Sequence, residues 1–371
     1  MEIRLITSGE EELCNQFHNR IFKHDRTLLQ WRWDFVLNNY RADSIPYAVA
    51  VDKGRIVGTQ AFIPIRMIDR EGVYWTAKSE ETLVDPDYRG QRLFEKMYAL
   101  LFDFAADHGF AHVWGFTPAI KAFERLNFTI PGKTEQIFMP FSTRSVPIFL
   151  DKGRTDRKAM VRNSLKMGAM YFGCAAAQSL SSIRFGVGRR RILQNLQIRT
   201  PDKPDPQMGE VCKRFIDKWG GTTIYRDHDY LQWRLFDNPY VKGIVRAIYN
   251  EDELCGWVAF ALGDDGLGYL VDVMAAGNYG QHREEDIIGA LLIEAVMGAR
   301  NMGAVGIRGW HVNCHPFDRL ILQVAKKTGF YHSKRGHSVV LYNCGAGEDR
   351  VSFKRFDDWY VSRIYTEGVL G

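Results

Sequence analysis

Residues 73–109 constrain this chain more than any other stretch. VYWTAKSEETLV (73–84) reads as a strand and DPDYRG (85–90) as a tight turn, after which Leu93, Met97, Leu101, Phe104 and Ala105 recur at three- and four-residue spacing up to Gly109. That spacing predicts a helix of about five turns with its apolar face inward, entered directly from a strand. A glycine-bearing turn at such a junction leaves backbone N–H groups unpaired at the positive end of the helix dipole, which suits a phosphate. Arg89 and Arg92 add two guanidinium groups at the same spot. A plain strand–turn–helix connection fits the same pattern.

Around this unit, residues 10–38 read as helical. Residues 46–51 and 55–67, with 73–84, read as a strand meander broken by turns at 52–54 and 69–72. HVWGF (112–116) is a further strand, a helix starts at Pro118, and EQIFMPF (135–141) is another strand. Part of this order then recurs. YLQWRLFDNPY (230–240) echoes LLQWRWDFVLNNY (28–40), and KKTGF (326–330) echoes ERLNF (124–128). Trp31 lies 97 positions before Phe128, and Trp233 lies 97 before Phe330, which argues for a duplicated unit. Trp31, Arg32, Trp33, Trp233 and Arg234 are read as structural, covering a sheet.

DPDYRGQRLFEKM (85–97) resembles the acyl-CoA-binding motif of the GNAT N-acetyltransferase superfamily, Arg/Gln-x-x-Gly-x-Gly/Ala after a turn containing proline. Arg89 and Gly90 take the first two motif places, whereas Arg92 and Phe94 stand where small residues belong. The resemblance implies an α/β (α+β) fold of two tandem GNAT-like domains, each a mixed, mostly antiparallel sheet flanked by helices. The expected division is 1–145, a basic helical connector at 146–204, 205–345 and a tail at 346–371. It also implies acetyl-CoA as cosubstrate. The backbone of Thr82, Leu83 and Val84 would meet the thioester, and Arg89, Gly90, Gln91, Arg92, Leu93 and Phe94 the pyrophosphate. In the second half the matching helix opens with Glu284, Glu285 and Asp286, which would repel a pyrophosphate, so coenzyme A is expected in the first half alone.

The same resemblance directs attention to a carboxylate base on the strand entering the motif. Glu80 and Glu81 are adjacent there, and strand alternation should send them to opposite faces. Many members carry a tyrosine as general acid where this chain has Phe123, whose ring cannot donate a proton. Tyr98 or water is the substitute donor, or the domain does not catalyse. His311, Cys314 and His315 form the densest His/Cys cluster. Without a second cluster at suitable spacing it is read as structural or cleft-lining, and no metal is expected.

Charge and composition bound the partners. Eleven Lys or Arg against two Asp give residues 146–200 a surplus of +9 within a net charge of +5, so the remainder sums to −4. Met167–Ala177, an apolar stretch inside that segment, is too short to cross a bilayer. It reads as a connector, or as a peripheral contact with an anionic membrane. Aromatic residues do not interleave with the basic ones, which gives no support to nucleic-acid binding. Six scattered cysteines and no signal-like N-terminus lead us to expect a reduced, cytoplasmic protein.

The expected activity is transfer of an acetyl group to a primary amine of a small molecule or amino sugar, including acceptors used in surface-polysaccharide synthesis. The alternatives are a FemX-like aminoacyl transferase, which needs no coenzyme A, and a catalytically silent acyl-CoA-binding protein.

Overall fold

The computed structural model describes residues 1–38, 40, 44–145, 168, 196–311, 314–345 and 355–366. The expected basic connector and the apolar stretch at 167–177 lie outside these residues, apart from residue 168 and residues 196–204, of which Leu196–Arg199 form a strand. The helical reading of 10–38 resolves into two helices, α1 (Glu11–Phe22) and α2 (Leu28–Phe35). Lys23 adopts a left-handed conformation that stops the first, and the Thr27/Gln30 capping box starts the second. The meander forms as expected: β2 (Tyr47–Asp52), β3 (Arg55–Asp69) and β4 (Gly72–Val84), with β1 (Glu2–Leu5) added at the edge. Helix α3 (Leu93–Asp107) then buries Leu93, Met97, Leu101, Phe104 and Ala105, the five residues picked out by their spacing. It is four turns long rather than five. After β5 (His112–Thr117), α4 covers only Ile120–Glu124, and β6 (Thr129–Lys133) and β7 (Glu135–Pro140) follow.

The second half supplies β8 (Leu196–Arg199), β9 (Thr223–Ile224), β10 (Ile244–Asn250), β11 (Glu253–Leu262), β12 (Gly268–Ala275), β13 (Gly306–His311), β14 (Tyr331–Ser333) and β15 (Ser338–Asn343). Two mixed sheets flanked by helices result, and they exchange strands. The first runs β1-β2-β3-β4-β5-β15-β6, with β9 on β3; the second runs β14-β7-β13-β12-β11-β10-β8. Strand β7 therefore leaves the sheet of its own half, and β15 fills the place beside β5. A chain cut at 145 or 345 does not coincide with the boundary between the sheets.

Sheet exchange makes one continuous interior. Trp31, Trp114, Trp257 and Trp359 are each almost wholly buried, and the tail residues Trp359–Tyr365 pack in the same apolar cluster as β3 and β12. Gly221 allows that packing: at φ +72 it needs no side chain, and a Cβ there would stand 2.1 Å from the Asp358 carbonyl.

Candidate acyl-transfer site

Two parallel strands part company at the centre of the first sheet. β4 and β5 pair at Ala77–Val113 and Lys78–Trp114, so among the described residues the end of β4 keeps only β3 as a paired neighbour. The amide of Asp85 bonds the Val57 carbonyl. Alternation along the strand then turns the amides of Val84 and Thr82 toward the gap.

On one side of the gap lies a groove of about 290 Å³ lined by Val84, Arg89, Gly90, Arg92, Leu93 and Phe94, with Tyr88 and Arg125. Six of the nine residues expected to hold coenzyme A border this groove; Thr82, Leu83 and Gln91 do not. Gly90 turns at φ +83 and Arg92 at φ +59, so the left-handed backbone that glycine favours forms even where arginine stands. That conformation costs a non-glycine residue about 1–2 kcal/mol. Arg92 is the residue before the first turn of α3 and no side chain caps that turn. The early amides of α3 thus face a groove carrying three guanidinium groups, an arrangement suited to a phosphate. Arg125 follows α4 and reaches the groove only through the fold, and nothing in its sequence context points there.

On the other side is a cleft of about 380 Å³. Both Glu80 and Glu81 border it, contrary to the expectation from alternation. Glu81 sits at φ +57 in a bulge where the β3–β4 register shifts, and an inserted residue brings its neighbour to the same side. Asp25, Asp34 and, from the second half, Asp264 and Tyr240 complete a wall rich in carboxylates.

Glu81 is buried, and its carboxylate is fully engaged. Arg26 donates to both oxygens at 2.9 and 2.7 Å, Tyr47 donates its hydroxyl at 3.2 Å, and His18 Nδ1 lies 3.0 Å away. Burial by itself would raise its pKa, but the His18 contact and the Arg26 pair outweigh that and hold it below the usual glutamate value. A carboxylate held so firmly is a poor proton acceptor and a good anchor for an imidazole. Glu80 is paired with the buried ammonium of Lys78. His18 and Arg26, which organise this corner, lie in helix and loop contexts without a recognisable motif.

Tyr98 is buried under the gap. Its hydroxyl is 2.6 Å from Ser79 Oγ and 3.4 Å from Thr82 Oγ1, and its ring packs against Phe94, Phe123 and Phe128. Burial raises its pKa, so the hydroxyl keeps its proton.

The corresponding gap in the second sheet is filled. β12 and β13 pair from Gly268–Ile307 to Leu270–Gly309 only, but Tyr360 and Ser362 of the tail occupy the opening and leave about 10 Å³. Tyr360 donates its hydroxyl to the Val273 carbonyl and Ser362 to Asp272. Glu284, in the acidic first turn, accepts from Gly277 N–H and Lys218 Nζ, each at 2.9 Å.

His311 turns away from Cys314 and His315 toward Glu135 and His332. Burial pushes its imidazole down to about 3. His315 instead caps the helix Pro316–Thr328, accepting from the Phe317 amide at 3.2 Å.

These features are those of a mixed α/β fold in which two parallel strands part beside an open groove lined by arginines. Residues 2–130 match the model of the acetyltransferase (GNAT) domain family, about a third of the chain. The whole chain resembles a GCN5-related N-acetyltransferase from Anabaena variabilis, with a TM-score of 0.60 at 10% identity over 93% of this chain and 73% of that one. It resembles N-myristoyltransferase of Saccharomyces cerevisiae with bound myristoyl-CoA to a similar degree, with a TM-score of 0.58 at 12% identity over 92% and 82%. A GCN5-related N-acetyltransferase from Kribbella flavida gives 0.57 at 12% identity over 92% and 70%. No curated protein sequence matches the chain.

Proposed function

We propose that this protein transfers an acyl group, acetyl in the first instance, from coenzyme A to a primary amine of a small molecule or amino sugar. Acceptors used in surface-polysaccharide synthesis fall within that class. The observation that carries the reading is the parting of β4 and β5 between two clefts of opposite character, one basic and one rich in carboxylates. A pyrophosphate suits the first and an ammonium the second.

In this reading the amides of Val84 and Thr82 polarise the thioester carbonyl and stabilise the oxyanion that forms on it. His18, oriented through Nδ1 by Glu81, takes a proton from the ammonium through Nε2. The freed amine attacks the carbonyl carbon; as the C–S bond breaks, Tyr98 gives its proton to the departing thiolate and regains one, relayed through Ser79, from the second proton that the amine nitrogen sheds. Ser79 connects that hydroxyl to the gap, so Tyr98 does the work for which Phe123 has no proton. Free, buried thiols at Cys14, Cys212 and Cys255 support a reducing, cytoplasmic setting. Among the described residues no helix is long and apolar enough to cross a membrane.

Isothermal calorimetry with acetyl-CoA, followed by turnover over a panel of amines, tests the proposal. Binding with turnover is expected. Absence of coenzyme A binding would replace it with an aminoacyl-transfer activity. Binding without turnover would leave an acyl-CoA-binding protein, the reading favoured by Phe123 and by the Arg26–Glu81 pair.

A further inference from the structure

Away from the acyl-transfer site, three adjacent strands of the second sheet bring a carboxylate and two imidazoles to one end of one face. β7 runs between β13 and β14, with Glu135 opposite His311 and Ile137 opposite His332. Glu135 and Ile137 are two residues apart, so the three side chains project to the same side. Glu135 Oε2 lies 2.6 Å from His332 Nε2 and 3.7 Å from His311 Nε2. All three donor atoms fall within 4.8 Å of one another.

A simple His–Glu pair accounts for Glu135 and His332 but not for His311. That side chain is 1% exposed, and among the described residues neither ring nitrogen has a hydrogen-bond partner. Buried polar groups are normally satisfied, and one aimed at a carboxylate it does not reach calls for something between them.

We propose that Glu135, His311 and His332 bind a divalent transition-metal ion of the zinc class. Bonds of ~2.0–2.2 Å at tetrahedral angles set neighbouring donors about 3.4 Å apart, a value the two observed separations bracket. Two imidazoles with one carboxylate favour zinc over magnesium or calcium, which take oxygen donors. A fourth position remains for water, on the side where Glu135 and His332 are only half-buried. This ion would also tie β7, contributed by the first half, to two strands of the second. The inference runs against the expectation of no metal and is independent of the acyl-transfer reading.

The full chain, stripped with a chelator and dialysed against zinc over a range of free concentrations, is expected to retain one ion per chain by elemental analysis. His332→Gln and Glu135→Gln, at half-buried positions that spare the core, are each expected to weaken binding at least about tenfold. Zinc is expected to raise the thermal midpoint of the wild-type chain and to leave that of His332→Gln unmoved. Wild-type protein that retains no zinc, variants that bind as tightly as wild type, or an equal thermal shift in His332→Gln would each overturn the proposal.

Discussion

The indole N–H of Trp33 donates to the main-chain carbonyl of Trp233 at 2.9 Å, and the indole of Trp233 returns the bond to the carbonyl of Trp33 at 2.8 Å. The rings lie 5.2 Å apart, with the Arg234 guanidinium 5.1 Å from each. This reciprocal pair joins the two segments whose sequences echo each other, and it sets Trp33, rather than Trp31, against Trp233. Thr27 and Asp227 cap their helices six residues before these tryptophans, and Asn38 and Asn238 each accept from the amide two residues on, of Tyr40 and Tyr240. Arg26 and Arg226, each just before a cap, form paired bonds to Glu81 and Asp272 on the central strands.

Replacing one tryptophan of this pair tests its contribution. Trp33→Phe removes a donor and leaves the buried Trp233 carbonyl without its partner, at about 1–3 kcal/mol. Chemical denaturation should show that loss. The double variant with Trp233→Phe should lose less than the sum of the singles, since the bonds belong to one contact.

The groove beside Gly90 predicts a charge effect at two arginines remote in sequence. Arg92→Glu and Arg125→Glu should each weaken coenzyme A at least about tenfold, the loss of a charge-assisted contact plus repulsion. Calorimetry with desulfo-coenzyme A reads this without turnover. Unchanged affinity in Arg125→Glu would move the pyrophosphate away from α4.

His18 separates chemistry from binding. His18→Asn should lower kcat by about 10²–10⁴ while the dissociation constant of the acyl-CoA stays within a factor of two, because the residue faces the acceptor cleft. A proportional loss of cofactor affinity would instead give His18 a structural role.

Acid should destabilise the protein partly through His315. Burial outweighs its contact with the Gly220 carbonyl and pushes the imidazole down to about 4, against ~6.5 in an unfolded chain. Between these values the unfolded chain binds the proton better. The stability is complete above pH ~6.5 and is lost as the pH falls toward 4, by up to about 3 kcal/mol. His315→Asn, which keeps a capping oxygen, should narrow the difference in denaturant midpoint between pH 7 and pH 5. An undiminished difference would assign the acid sensitivity to other groups.

Local periodicity determined much of this protein. The apolar spacing of α3, the turn residues of the meander and the arginines beside Gly90 each act on near neighbours, so they are legible without a fold. What lies between distant segments is not. The exchange of β7 and β15 depends on which edge each strand meets after the core has assembled. The bulge at Glu81 overrides alternation because Arg26, His18 and Tyr47, from other elements, converge on its carboxylate. Arg125 reaches the groove, Tyr360 seals the second gap, and His311 finds Glu135 rather than Cys314, all through contacts between residues far apart in the chain. Patterning specifies elements through interactions of a few residues' range, whereas the site is made where those elements are forced together by burial of their shared apolar faces.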